Sequence, residues 1–375
     1  MKIGILTFPF NNNYGGYLQA YAVLTVLKSM GHDVEIIYRR YNRHSLLNRT
    51  KTLLTNILKY CLGRKVVSII PDQEKSHRYR GALMMSFVDK HIIPCTVPLY
   101  SSEDLYKQIS ICDYDVIVIG SDQVWRPDIG PKHVQDFFLA ELQSVLRPKR
   151  ISYAASFGND HPCFTEKEIE ECGRAISHFS AVSVREKSGL SVIKKFHWKT
   201  KNQPVMVLDP TLLLSSSHYN SLLPQDFSIS KNKIFCYILD NNQETSELIS
   251  IVSKQTELEV YNILDVNWKG SLYVMPSIEA WLSGIRDAEL VITDSFHGMV
   301  FSIIFRKPFI VKCNESRGAD RFISLLESLG LENRLIYNAD SIHNVISQDI
   351  DWTLVEMKLN VERNKSLNFL LDAVS

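Results

Sequence analysis

Short, almost uninterrupted runs of Val, Ile and Leu alternate with helix-period segments along nearly the whole chain. This alternation limits the fold more than any other feature. KIGILTF opens the chain and is followed by the helical YLQAYAVLTVLKSMG and then by VEIIYRR. YDVIVIGS, KRISYAAS, AVSVRE and PVMVLDP come later, most with a helical segment between them. Runs like these lack the in–out alternation of a half-exposed sheet and fit strands covered on both faces, as in parallel sheets. Repetition of strand and helix therefore predicts a doubly wound α/β domain.

A second series follows the polar break SLLPQDFSISKNK. It runs strand KIFCYILD, helix ETSELISIVSKQT, strand LEVYNIL, helix SIEAWLSGIRDA, strand ELVITDS, helix GMVFSIIFR, strand PFIVKC and helix RFISLLESLG. A chain of 375 residues exceeds one comfortable core. We therefore expect two Rossmann-like domains facing a cleft, 1–229 and 230–375. The last segment, DWTLVEMKLNVERNKSLNFLLDAVS, reads as a helix that crosses back onto the first domain. Ligands of open α/β sheets bind beyond the C-terminal ends of the strands. The functional residues are thus sought directly after strands.

Several function classes are excluded at this level. A formal net charge of +1 gives no basis for binding nucleic acid. Seven cysteines without a C-x-x-C pair argue against a disulfide framework or a zinc site, and read as buried thiols in a reducing cytoplasm. No histidine spacing suits a metal, and neither a Walker A sequence nor a G-x-S-x-G elbow is present. No metal and no cofactor are expected. The opening MKIGILTF lacks a signal peptide's apolar centre and cleavage site, and no apolar stretch nears the ~20 residues that span a bilayer. A cytoplasmic protein is the expectation.

Four post-strand segments carry chemistry. FPFNNNYGGYLQAYAVL ends the first strand in an Asn-rich turn, with Gly15 and Gly16 opening a helix. Glycines admit close approach of a ligand, and a helix N-terminus offers free N–H groups to an anion. Asn13, Tyr14 and Gln19 join them as candidate binding residues. Glycines needed for turn geometry alone are an equal reading. The spacing is not G-x-G-x-x-G, and Tyr38, Arg39 and Arg40 end the second strand where an acid would stand, so dinucleotide binding is rejected.

VIVIGSDQVWRPD places Ser121, Asp122, Gln123 and Trp125 after another strand, an aromatic beside polar groups that suits a sugar ring. The competing reading is an Asp helix cap with a core tryptophan. Arg185 ends AVSV, where its planar fork suits a carboxylate or phosphate, or an ordinary ion pair. In VITDSFHGMVFSIIFRKPFIV a strand ends at Asp294 and a helix begins behind His297 and Gly298. Ser295 and His297 thus sit at a helix N-terminus facing the cleft. Histidine can give and take a proton near neutral pH. Arg317 and Arg321 follow the next strand and are expected to face the same space.

These pieces, in order, resemble the polysaccharide pyruvyl transferase family: NYGGYLQAYAVL, GSDQVW, SYAASFG, VSVRE, DPTLLL, TDSFHG and DRFISLLESLGL, spread from about residue 2 to 337. The resemblance implies a fold similar to GT-B glycosyltransferases, with the first domain as the acceptor side. It implies phosphoenolpyruvate as donor and a sugar as acceptor, joined as a ketal bridging two hydroxyls. His297 is then the catalytic histidine, taken here as the general acid, with Asp294 or Asp122 orienting groups or accepting a hydroxyl proton, and Arg185 as a donor-binding counterpart. Some members carry S-x-R-x-H-G; this chain has Ser295-Phe296-His297, so the positive charge is expected from Arg317 or Arg321. The alternatives are a nucleotide-sugar glycosyltransferase on the same scaffold and a non-catalytic glycan-binding protein.

One charge feature stands apart. No acidic residue occurs from Ile36 to Pro71, while Arg39, Arg40, Arg43, Arg49, Lys51, Lys59, Arg64 and Lys65 accumulate around the amphipathic LLNRTKTLLTNILKYCLG. Residues 39–65 are expected to touch the inner membrane face, with a lipid-linked oligosaccharide as acceptor. A solvated helical face is the competing reading.

Overall fold

The protein is described here from a computed structural model. It covers residues 1–375 except 44–45, 64–65, 67–68, 71–72, 132, 143–146, 225–226, 265–271, 314–317 and 338–341. Six parallel strands form a first sheet in the order β2-β1-β3-β4-β5-β6. They are β1 Lys2–Leu6, β2 Asp33–Ile37, β3 Val116–Ile119, β4 Lys149–Ala155, β5 Ala181–Val184 and β6 Val205–Met206. Five more, β7 Lys233–Tyr237, β8 Glu259–Asn262, β9 Leu290–Thr293, β10 Phe309–Lys312 and β11 Leu335–Ile336, form a second parallel sheet in the order β11-β10-β9-β7-β8.

Burial explains why these strands read as unbroken apolar runs. Along β3, Val116 and Val118 enter one packed layer, while Ile117 and Ile119 enter the layer on the opposite face. In the second sheet, Phe235 and Tyr237 face one layer and Ile234 and Cys236 the other. Helices cover both faces of each sheet, so neither face needs polar residues.

The first sheet's helices are α1 Tyr14–Ser29, α2 Leu46–Cys61, α3 Gln73–Arg80, α4 Ala82–His91, α5 Ser102–Cys112, α6 Glu166–Ile176, α7 Lys187–Lys195 and α8 Ser216–Asn220. The second sheet has α9 Gln243–Thr256, α10 Ile278–Asp287, α11 Phe296–Ile304, α12 Asp320–Leu329 and α13 Ile342–Ser347, followed by α14 Trp352–Val374. This last helix lies on the first sheet. Its Ser366 Oγ accepts a bond from Leu208 N (2.9 Å), and Arg363 Nε donates to Leu212 O (2.8 Å).

Two helix N-termini bring the sheets together. Tyr14, in the first turn of α1, stacks on Trp281 of α10 at 5.2 Å and donates its hydroxyl to Pro276 O at 3.0 Å. Trp281 is fully buried and also meets Tyr237 and Phe301 edge-on. Tyr14 therefore serves packing between the sheets, with no free face for a ligand, which corrects its expected binding role.

Two further expectations change at this level. Arg39 is fully buried, its Nε donating to Asp136 Oδ2 at 2.8 Å, and Arg40 donates to Tyr38 Oη at 2.6 Å. The basic surface therefore cannot begin at residue 39. Arg64 and Lys65 lie outside the described residues. The cysteines form no disulfide, yet Cys61 and Cys163 are exposed and only Cys172 and Cys236 are buried. Among the described residues no helix is long and apolar enough to cross a membrane, and no group of three or more His, Cys, Asp or Glu side chains could hold a metal ion.

Removing the plug between the sheets should be costly. Trp281→Ala is expected to destabilise the chain by about 3–5 kcal/mol, the usual range for emptying a buried aromatic site, measured by urea unfolding.

Candidate functional site

The polar residues that break the apolar pattern sit at strand ends, where the backbone turns toward the neighbouring domain. After β3 the chain passes Gly120 (φ 118°) and Asp122 (φ 74°). A Cβ on Gly120 would overlap Tyr153 O, so the left-handed conformation and the close strand crossing both require glycine there. After β5 come Arg185 and Glu186. After β6 comes Asp209, which caps the short turn Pro210–Leu213: its Oδ1 accepts from Thr211 N (3.0 Å) and Thr211 Oγ1 (2.6 Å). That leaves Oδ2 free to face the cleft.

Oδ2 of Asp209 lies between an arginine and a histidine. Arg185 Nη1 lies at 2.9 Å, and Nε2 of His297, in the first turn of α11, lies at 3.5 Å. Arg185 also faces Asp122 Oδ1 at 3.4 Å and Glu186 Oε2 at 3.8 Å, and its side chain is 1% exposed. Phe296 presents its ring to two guanidinium groups, Arg185 at 4.8 Å and Arg321 at 5.5 Å. His297 is 4% exposed and its Nε2 makes no hydrogen bond, so Asp209 Oδ2 at 3.5 Å is what faces that nitrogen. Its ring also lies against Gly15 of α1, where any Cβ would overlap the imidazole.

Burial and charge work against each other throughout this cluster. Burial pushes the Asp209 carboxyl up, but His297, Arg185 and the bond from Thr211 outweigh it and hold Asp209 well below the usual carboxylate range. Burial also dominates at Glu186, and there it wins: the carboxyl is raised despite Arg185 and Arg321 nearby. Burial would lower Arg185, yet its three carboxylate neighbours raise it. Burial, and then repulsion from Arg185, lowers Arg321 to about 10.

The structure brings His297, Asp122, Arg185 and Arg321 into one buried cluster, with Gly15 and Gly16 of α1 along its edge. A Cβ on Gly16 would stand near Asn13 and Asp122, and Asn13 caps the helix by accepting from Gly15 N at 3.2 Å. Asp294 is tied elsewhere: Oδ1 accepts from Leu239 N (2.7 Å) and Oδ2 from Asp240 N (2.9 Å), which holds the loop after β7. Ser295 begins α11 without a side-chain cap, and Gly298 is needed because a Cβ would overlap Thr293 Oγ1.

Gln19 and Ser121 form a buried clasp, Gln19 donating to Thr7 Oγ1 (2.8 Å) and accepting from Ser121 N (3.0 Å). Gln123 accepts from Arg126 Nη1 at 3.0 Å. Arg317 lies outside the described residues.

Trp125 is a correction. It is fully buried, stacks on Phe138 at 4.8 Å and donates Nε1–H to Phe137 O at 3.0 Å. The loop after β3 needs a large apolar plug with a satisfied N–H, so no ring face is left for a sugar. Sequence reasoning in turn missed Asp209 and Glu186. Asp209 stood inside DPTLLL, directly after a strand and before a proline, and that position was the available signal.

Two expectations follow. Gly15→Ala must displace the His297 ring, with a destabilisation of about 1–3 kcal/mol and a shifted imidazole resonance by NMR. Asp209 and Glu186 should respond oppositely to pH. The depressed Asp209 contributes stability that is fully present above its unfolded value of about 3.9 and lost as pH falls through its folded value. The raised Glu186 contributes below about 4.3 and loses that contribution as pH rises through its folded value. Asp209→Asn should therefore cost about 3 kcal/mol at neutral pH, the gap narrowing below about pH 4. Glu186→Gln should be at least as stable as the parent at neutral pH, its advantage vanishing in acid. Urea unfolding at the two pH values reads both.

The family model for polysaccharide pyruvyl transferase matches residues 13–312. No curated protein sequence matches the chain. Among solved structures, the UDP-N-acetylglucosamine 2-epimerase from Rickettsia bellii is similar with a TM-score of 0.53 at 10% identity, covering 100% of this chain and 97% of that one. The UDP-GlcNAc 2-epimerase from Neisseria meningitidis, bound to UDP-GlcNAc, gives 0.52 at 8% identity, covering 100% and 99%. Identities this low speak to fold alone: two parallel-sheet α/β domains of the GT-B type.

Proposed function

Because the chain belongs to the polysaccharide pyruvyl transferase family, we propose that it moves the pyruvyl group of phosphoenolpyruvate onto two hydroxyls of a sugar and releases phosphate. The acceptor in this reading belongs to a polysaccharide or its lipid-linked precursor. One observation carries the reading: a histidine, His297, held between the domains with Nε2 facing a buried carboxylate oxygen at 3.5 Å. A positioned imidazole beside an orienting carboxylate is the arrangement general acid catalysis requires.

In this reading His297 gives its proton to the methylene carbon of the enol, and Asp209 fixes the ring's orientation. The central carbon becomes cation-like and one sugar hydroxyl attacks it, passing its proton to Asp122. The second hydroxyl then displaces phosphate: its oxygen bonds to the same carbon, the carbon–oxygen bond to phosphate breaks, and its proton returns to His297. The proton on Asp122 leaves with phosphate, which restores the site. Asp294, with both oxygens on backbone N–H groups, supports the site by holding the loop after β7.

The donor's carboxylate and phosphate call for cations and helix N-termini. Arg321, Arg185 and Arg317 are the candidates, with the starts of α1 and α11, including Gly16, Ser295 and Gly298. Arg185 already faces three carboxylates. One of them is Glu186, whose carboxyl burial raises, so its protonation would release Arg185's charge to the donor. Since Arg185 and His297 are nearly sealed, the cleft must open to admit substrate. Donor chemistry of this kind needs no redox cofactor.

Phosphate release from phosphoenolpyruvate, measured across glycan acceptors, tests the reading. His297→Ala should lower the rate by about 10²–10⁴ under conditions where far-UV circular dichroism shows the variant folded, with a lowered melting temperature because Asp209 loses a buried neighbour. Near-normal turnover in that variant would remove His297 from the mechanism. The fold is shared with UDP-sugar enzymes, so thermal shift supplies the control: phosphoenolpyruvate should stabilise the chain by roughly 2–4 kcal/mol at saturating concentration, and UDP sugars should not.

A further inference from the structure

We propose that α2 is a membrane-docking element that seats its apolar face in an anionic bilayer surface. Its sequence, LLNRTKTLLTNILKYC, repeats apolar residues at 46, 47, 53, 54, 57, 58 and 61, a single stripe on a helix. In a surface helix of a globular protein that stripe turns inward. Here it does not: Leu54, Leu58 and the following Leu62 are 68%, 61% and 65% exposed, and Ile57 and Tyr60 are exposed beside them. Leu53 alone among the described apolar side chains of the stripe is half-buried. Exposed large apolar residues grouped in this way mark an interaction surface.

Charge decides the occupant. No acidic residue occurs from Ile36 to Pro71. By helical periodicity Lys51 borders the stripe, and exposed Lys59 lies on the polar side with Asn48, Thr52 and Thr55. A second copy of this helix laid on the first would bring like charges together, as the self-complementary contact of a two-fold dimer requires. An anionic lipid surface meets the same charges favourably, and lysine stems can lie along the apolar boundary with the ammonium in the headgroup layer. The buried Arg39 and Arg40 play no part, so the docking segment is α2 and Leu62, narrower than the 39–65 stretch.

Its place in the fold gives the surface a use. α2 follows the C-terminal end of β2, the ligand side of the first sheet. Tyr41, in the connection between them, accepts a bond from Asn11 Nδ2 (3.5 Å), two residues before the Asn13 cap of α1. A bilayer held by α2 would therefore lie along the rim of the cleft. Docking stands independently of the reaction proposed above; only the delivery of a lipid-linked acceptor rests on that reading.

Co-sedimentation of the full chain with vesicles tests the proposal. The chain should sediment with phosphatidylcholine–phosphatidylglycerol vesicles, far less with phosphatidylcholine alone, and less again as salt rises. Leu54→Asp and Leu58→Asp should each weaken binding by about tenfold or more. The pair Lys51→Gln and Lys59→Gln, which removes charge without touching the stripe, should weaken it by about fivefold per lysine. Far-UV circular dichroism and melting temperature establish that each variant is folded. Equal sedimentation with both vesicles, none with either, or wild-type binding by all the variants would overturn the proposal. So would a concentration-dependent dimer in solution that Leu54→Asp abolishes, since the stripe would then belong to a second copy.

Discussion

One carboxylate oxygen, Oδ2 of Asp209, faces the guanidinium of Arg185 on the first domain and the imidazole of His297 on the second. The cluster around it depends on that contact. A buried cation without a counter-charge is strongly destabilising, and removing one member of a buried pair costs far more than the pair itself is worth. Asp209 is thus held where it is by Thr211 on its other oxygen, and it in turn holds Arg185 and His297 in register. Phe296 completes the arrangement by presenting its ring to both Arg185 and Arg321, a favourable contact for each guanidinium.

The apolar machinery around this cluster brings the two domains' helix starts into contact. Tyr14 on Trp281 joins the start of α1 to α10, and one residue on, the missing side chain of Gly15 makes room for the His297 ring. The same turn thus does two things that oppose each other sterically: a large ring to seal the domains, then nothing at all. This explains why Tyr14 and Gly15 are adjacent, and why neither can be read alone as a binding residue.

Most of the fold was legible in the sequence because parallel strands buried on both faces leave an unbroken apolar signature, as Val116–Ile119 and Leu290–Thr293 do. The site was legible in part. His297, Arg185 and Asp122 stand directly after such strands, and the structure gathers them. Trp125 occupied a similar position but turned inward, since a turn after a strand must be filled as well as functional, and Gln19, inside α1, turned inward too. Asp209 and Glu186 escaped notice because a carboxylate beside a strand end usually caps a helix or meets solvent. Only the three-dimensional meeting with an arginine and a histidine distant in sequence gives it weight. The exposed face of α2 was read correctly as amphipathic, but which way it turned, and that Arg39 and Arg40 were internal, required the packing.

The measurement that bears most directly on this account uses phosphoenolpyruvate labelled with carbon-13 at its central carbon, incubated with the protein and candidate glycans. The account predicts a labelled quaternary ketal carbon in the glycan, with a mass gain of one pyruvate less one water, formed by the parent chain and at least about a hundredfold more slowly by His297→Ala. No labelled ketal on any acceptor, together with transfer of a sugar from a UDP-sugar, would contradict it.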